Sequence, residues 1–337
     1  MSAADVSGRA TEIMRPSPSL RSEFPVNPEV QALLDLPAVR DRELTFATSW
    51  DPDRCRDIVA ELRSTPITGP TPFPVADVED ITVAGTGVRI YRPLTTVRLP
   101  IVVFFHGGGW VFGDLDTQDF ACRALANAGR ALVVSVDYGL APEHPFPGPV
   151  LEAIAVTKEV LAQAEELGGD PTRLIVAGAS SGGNLAATVA LDAADSGWGP
   201  LAGQVLVYPP LDATTASASY LENASGFNLS AREMRFYWQM YHQGQVDLRD
   251  PRLSPLFCKD LSGIPPTLIF TAEYDVLRDE GEAYAARLQG AGVPTYLRRY
   301  DGQIHGFLGL GHISADTSHG LHEIGLWVRK QVWDANG

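Results

Sequence analysis

The stretch "RLIVAGASSGGNLAATVAL", Arg173 to Leu191, decides the fold. Its first half is a short continuous apolar run, the composition of a strand buried on both faces. Its second half is rich in alanine and leucine, as a helix is. Between them, Gly178-Ala179-Ser180-Ser181-Gly182 must turn the chain sharply from strand to helix. Such a turn strains its central residue and leaves little room for side chains two positions away. Glycines occupy both of those positions only if Ser180 is the centre. Centring on Ser181 puts Ala179 and Gly183 there and leaves Gly178 unexplained. The pattern is that of a nucleophile elbow, which holds a serine where a helix dipole favours developing negative charge. The bland alternative is a small-residue turn with no chemistry, and only its surroundings decide between the two.

Outward from the elbow, apolar runs of the same kind lie at 100–106, 131–138, 203–209, 266–275 and 294–300. Helical patterns fill most of the intervals, at 117–128, 148–167, 181–195, 278–291 and 314–333. Strand–helix alternation predicts an α/β fold, a parallel sheet with helices on both faces. "ITVAGTGVRIYRP" (81–93) alternates like a hairpin, with Gly85 and Gly87 near its turn. One interval breaks the rhythm. Between 211 and 262 no strand is expected, but Ser230 and Glu233 form a capping box before Met234, Tyr237, Trp238 and Tyr241 at helical spacing. That aromatic stripe is either core packing or the wall of a pocket. Near the N-terminus, Asn27 with Pro28 and Asp51 with Pro52 each read as the start of a short helix, before a proline-rich linker. Asp51 and Asp53 read as helix caps, not metal ligands.

The chain has 337 residues, 45% of them hydrophobic, enough for one large core. A formal charge of -15 disfavours nucleic acid and anionic membrane surfaces as partners. Cys55, Cys122 and Cys258 are odd in number and lack C-x-x-C spacing, so no disulfide framework is expected. The first 20 residues lack the apolar centre of a signal peptide, and no run is long enough for a membrane span. A cytoplasmic protein is the expectation. His312, His319 and His322 lie on or near a polar helix face with no pattern that completes a metal site. The first strand carries no dinucleotide fingerprint, and no cofactor is expected.

Three further stretches bear chemistry. In "VVFFHGGGWVFGD" (102–114) a buried strand ends in His106 and three glycines, whose backbone can approach a ligand and aim N–H groups at an oxyanion. His106 precedes those donors and reads as a brace for the loop, not as a base. In "TAEYDVLRDEG" (271–281) Asp275 leaves the carboxyl end of a strand, the edge where open α/β sheets bind ligands. Asp279 reads as a helix cap or ion-pair partner. In "YDGQIHGFLGL" (300–310) His305 follows the last strand. Alone it would be an ordinary loop histidine. With Ser180 and Asp275 it completes the chain order Ser, Asp, His of a triad in which histidine deprotonates serine and aspartate fixes the imidazole tautomer.

"HGGGW", "DYGLAPEHPFP", "GASSGGN", "DVLRDEG" and "IHGF", in this order from about Ile81 onward, resemble the hormone-sensitive-lipase-like branch of the α/β-hydrolases, also called bacterial family IV esterases. The resemblance implies an eight-stranded, mostly parallel sheet and a helical cap. Residues 1–65 fit the N-terminal cap segment, and residues 66–337 fit the core, with a cap insertion at about 211–262. It implies Ser180 as nucleophile, Asp275 as acid, His305 as base, and oxyanion donors from Gly108, Gly109 and Ser181. By analogy the last strand's edge and the final helix would form a homodimer surface.

Three positions depart from the family pattern. Ala179 stands where relatives carry an acid, Gly139 where they carry arginine, and Val276 where proline is common. The first two are expected to be lost together because an acid and a base that stabilise each other near the elbow would otherwise leave a stranded charge. The expected reaction is ester hydrolysis through an acyl-enzyme on a small, partly apolar substrate. Amide or lactone hydrolysis, acyl transfer, a dehydratase or lyase, and a non-catalytic binding role are alternatives on the same scaffold. Trp110, Phe227, Tyr237, Trp238 and Phe257 are the expected aromatic lining of the substrate pocket.

Overall fold

The computed structural model describes residues 25–36, 57, 73–95, 98–244, 246–310 and 314–333. The expected helix at Asp51, with Asp53 and Cys55, lies outside the described residues, as does His312. The hairpin forms as β1 (Asp77–Val83) and β2 (Thr86–Arg92). It is followed by β3 (Leu99–Phe105), β4 (Leu132–Asp137), β5 (Gly169–Ala179), β6 (Gly203–Val207), β7 (Thr267–Tyr274) and β8 (Thr295–Ile304). They make one eight-stranded sheet in the order β1-β2-β4-β3-β5-β6-β7-β8. β2 pairs antiparallel with both of its neighbours, and every pair from β4 to β8 is parallel.

The helices are α1 (Pro28–Leu34), α2 (Asp119–Gly129), α3 (Gly148–Ala162), α4 (Ser181–Ser196), α5 (Ser219–Glu222), α6 (Ala231–His242), α7 (Arg278–Gly290) and α8 (Ala315–Trp333). Alternate side chains of each strand serve opposite faces of the sheet. Ile101, Val103 and Phe105 of β3 therefore join a core with α3, α4 and α7. Val102 and Phe104 join a second core, on the other face, with α2 and α8. Asn27 caps α1 as expected, accepting the N–H of Glu29 at 3.1 Å. Its own N–H donates to the Gly302 carbonyl at 2.9 Å, so α1 starts against the end of β8.

The interval between β6 and β7 holds α5 and α6 and no strand among the described residues. Ser230 caps α6 by accepting the N–H of Glu233 at 3.1 Å. The insertion is tied to α7 through polar contacts. Asp279 lies inside the first turn of α7 and does not cap it; it pairs with Arg278, the ion-pair alternative its position suggested, and accepts the N–H of Ser219 at 2.8 Å. Glu280, fully buried, accepts the N–H of Leu211 at 2.9 Å at the point where the insertion begins.

Candidate active site

Ser180, Asp275 and His305 are each the first residue after a parallel strand, β5, β7 and β8 in turn. Because those strands point the same way, the three side chains reach one edge of the sheet. His305 Nε2 lies 2.9 Å from Ser180 Oγ, and His305 Nδ1 lies 2.8 Å from Asp275 Oδ2. The Asp275 side chain is completely buried, and its other oxygen accepts the N–H of Leu277 at 2.9 Å. One carboxylate oxygen is thus fixed by backbone and the other left for the imidazole.

The elbow shows why its sequence is so restricted. Ser180 sits at φ 53° and ψ -125°, a conformation that costs an L-residue free energy. A Cβ on Gly178 would overlap the carbonyl of Gly182, and one on Gly182 would overlap the carbonyl of Phe105. Neither position admits another residue without moving backbone. Ser181 is fully buried, with its hydroxyl 3.4 Å from that of Tyr138 and turned to a different partner from His305. The two adjacent serines therefore meet different chemistry.

The glycine loop lies against the elbow. A Cβ on Gly107 would come within 3.3 Å of Ser180 Cβ, and Gly108 and Gly109 have φ of 118° and 60°. Among the described residues, the N–H groups of Gly108, Gly109 and Ser181 have no hydrogen-bond partner. His106 braces this loop. Its ring is buried, stacks on Tyr138 with centroids 4.2 Å apart, and donates from Nδ1 to the Gly107 carbonyl at 2.7 Å. Burial lowers its pKa to about 4, which keeps the ring neutral at neutral pH.

A cavity of about 210 Å³ opens at Ser180 and His305. Of the five aromatics expected to line it, only Tyr237 does so. Trp110 is fully buried, stacks on Tyr241 with centroids 4.3 Å apart and packs at a tilt against Trp238 at 4.5 Å. These three join the core on the α3–α4 face, whereas the cavity runs along the α2–α8 face. Phe227 stacks on Tyr274 at 4.7 Å, and Phe257 lies under the Arg249 guanidinium. All four residues of the stripe on α6 join that core, but only Met234 and Tyr237 also line the cavity. Tyr237 also donates from its hydroxyl to Glu233 at 2.8 Å, which stiffens that wall.

Several residues around the site had no sequence signal of their own. Asn223 donates to the Asp275 carbonyl at 3.0 Å, and Asn228 to the His305 carbonyl at 3.1 Å. Both come from the insertion and steady the backbone of the acid and base. The Tyr208 ring packs 4.7 Å from that of His305. The positive φ of Asn228, 70°, is of the kind asparagine tolerates, a weak cue that sequence alone does not single out.

Two of the three departures from the family pattern, Ala179 and Gly139, have different surroundings. Ala179 lines the cavity. Gly139 donates its N–H to Glu152 at 2.6 Å, and a Cβ there would press on His144. A side chain at 139 would meet His144 first and then Glu152 of α3.

A family model described as alpha/beta hydrolase fold matches residues 102–309. The chain is 39% identical over 293 residues to the carboxylesterase NlhH of Mycobacterium tuberculosis, covering 84% of this chain and 89% of that protein. It is 40% identical over 223 residues to an arylesterase of Saccharolobus solfataricus, covering 66% and 72%. Among solved structures, an α/β hydrolase from the metagenome of Lake Arreo superposes with a TM-score of 0.82 at 37% identity, over 90% of this chain and 98% of that one. An esterase from Pyrobaculum calidifontis gives 0.78 at 38% identity, over 91% and 99%.

Proposed function

The chain belongs to the α/β-hydrolase fold family, in its hormone-sensitive-lipase-like esterase branch, and we propose that it is a serine carboxylesterase acting through an acyl-enzyme on Ser180. The observation that carries this reading is His305, which spans Ser180 Oγ and Asp275 Oδ2 with short contacts on both ring nitrogens. With Nδ1 protonated and donating to Asp275, Nε2 accepts the serine proton as Oγ attacks the ester carbonyl. The unpartnered N–H groups of Gly108, Gly109 and Ser181 receive the oxyanion. They are fixed before the charge appears, so no reorganisation is needed at the moment of reaction.

His305 then passes its proton to the leaving alcohol, and the C–O bond breaks to leave the acyl group on Ser180. Water, deprotonated by the same Nε2, attacks the acyl carbonyl. Its proton returns to Ser180 Oγ as the carboxylic acid departs. The insertion, with α1 beside it, serves as the cap that covers the serine and shapes the cavity. The relatives' names as carboxylesterase and arylesterase favour an ester over an amide.

Turnover of p-nitrophenyl acetate and butanoate, measured beside the matching anilide, tests the proposal. Ester hydrolysis well above that of the anilide is expected, and it should vanish in Ser180→Ala. Absence of ester turnover, or turnover unchanged in Ser180→Ala, would overturn it.

A further inference from the structure

The cavity at Ser180 does not stop at the serine. Along β5 it reaches Ala177, three residues before Ser180, which is about 10 Å of strand. At that depth Val205 and Phe104 from the neighbouring strands form one wall. Ala121 and Leu125 of α2, with Leu321 and Ile324 of α8, form the other. The space exists because alanines occupy positions 121, 177 and 179, where larger side chains would fill it. Leu125, Leu321 and Ile324 are themselves buried and close its inner end. Beyond them lies a separate outer cleft, bordered by Phe73, Ala124, Ser318 and His322. Leu321 borders both spaces and is the partition between them.

We propose that this blind apolar shaft receives the unbranched acyl chain of the ester, with Leu321 as the stop that sets the longest chain accepted. The proposal rests on the esterase reading above. The acyl chain is assigned here for a mechanistic reason. The alcohol must take a proton from His305 and leave before water can enter, and a blind shaft would hold it in place. The acyl chain remains attached to Ser180 through both steps and gains from being anchored. Ala179 is part of the same design. A carboxylate at that position would stand beside the shaft without water, a costly burial, and alanine leaves the wall apolar.

The test compares kcat/KM along two series, p-nitrophenyl esters from acetate to laurate and acetates from ethyl to octyl, for the wild type and two variants. Leu321→Ala opens the partition and should raise the laurate-to-octanoate ratio roughly tenfold. Ala121→Leu fills the shaft and should lower the octanoate-to-acetate ratio by a similar factor. The alkyl acetate series should keep its ratios in both. Calorimetric titration of p-nitrophenyl octanoate into Ser180→Ala, alone and combined with Ala121→Leu, reads binding without turnover, and the combined variant should bind more weakly. If the wild type hydrolyses esters but no acyl ratio moves, the shaft assignment falls while the esterase reading stands. If the ratios move in the alcohol series instead, the acyl assignment is wrong. If no ester is hydrolysed, the esterase reading falls, and the titration alone decides whether the shaft takes a chain. Should Ala121→Leu fail to fold, the laurate-to-octanoate ratio of Leu321→Ala still supports or overturns the assignment.

Discussion

The turn at Ser180 and the insertion at 211–262 are built under opposite kinds of constraint. At the turn, backbone meets backbone. Gly178, Gly182 and the glycine loop are fixed because any Cβ would strike a carbonyl or a ring, and Ser180 is held in a strained conformation by its neighbours. In the insertion, side chains meet side chains. Trp238 and Tyr241 of α6 pack on Trp110 from the glycine loop, and helical spacing does not say which neighbour each will choose. The first kind of constraint names its residues in the sequence. The second names only a set of aromatics and leaves their directions open.

The sharpest way to break this contrast is at the two serines. Ser180→Ala should lower kcat by on the order of 10⁴–10⁶, because it removes the attacking atom. A loss of less than about tenfold would mean that the contact between Ser180 and His305 is structural. The next effect falls on stability. Trp110→Ala removes a fully buried indole stacked on Tyr241 and packed against Trp238, and should cost about 3–5 kcal/mol in denaturant unfolding. Since Trp110 does not line the cavity, KM for short esters should stay close to that of the wild type. A large rise in KM with intact stability would put Trp110 back in the substrate pocket.

A third prediction concerns acid. Burial holds the folded pKa of His106 at about 4, below the ordinary histidine value of 6.5. Between those values the unfolded chain binds a proton that the folded chain does not, so stability falls as pH falls through that window. At about 1.4 kcal/mol per pH unit, the loss is on the order of 3 kcal/mol. Unfolding titrations from pH 7 to 4 should show this extra loss in the wild type and not in His106→Asn. Equal slopes in the two would mean that His106 accepts a proton inside the fold.

The smallest effect is expected one residue from the largest. Ser181→Ala should cost less than about tenfold in kcat, because the oxyanion needs the Ser181 amide and not its hydroxyl. A collapse of kcat there would reverse the assignment of the two serines.

Much of the fold was legible in the sequence. The continuous apolar runs marked the strands because a strand buried on both faces has no polar period to hide. Ser180, Asp275 and His305 were legible because each stands at or shortly after the end of such a run, in the chain order Ser, Asp, His. The hairpin and the cap of α6 followed from short-range rules. The failures share a cause. The aromatic character of Trp110, Phe227, Trp238 and Phe257 suggests a pocket lining, yet which neighbours each meets is set by tertiary packing. Asn223 and Asn228 carry no sequence signal because they act on backbone carbonyls more than 50 residues away, which no local pattern records. The shaft escaped because it is made of absences, three alanines on two different elements that only the fold brings together.

The most direct measurement is labelling with a small fluorophosphonate followed by peptide mapping. One adduct per chain is expected, on Ser180 and not on Ser181, and it should disappear in His305→Ala, where the hydroxyl has lost its base. An adduct on Ser181, or a chain that stays unlabelled while it remains folded with His305 intact, would contradict the claim that His305 and Asp275 make Ser180 the nucleophile.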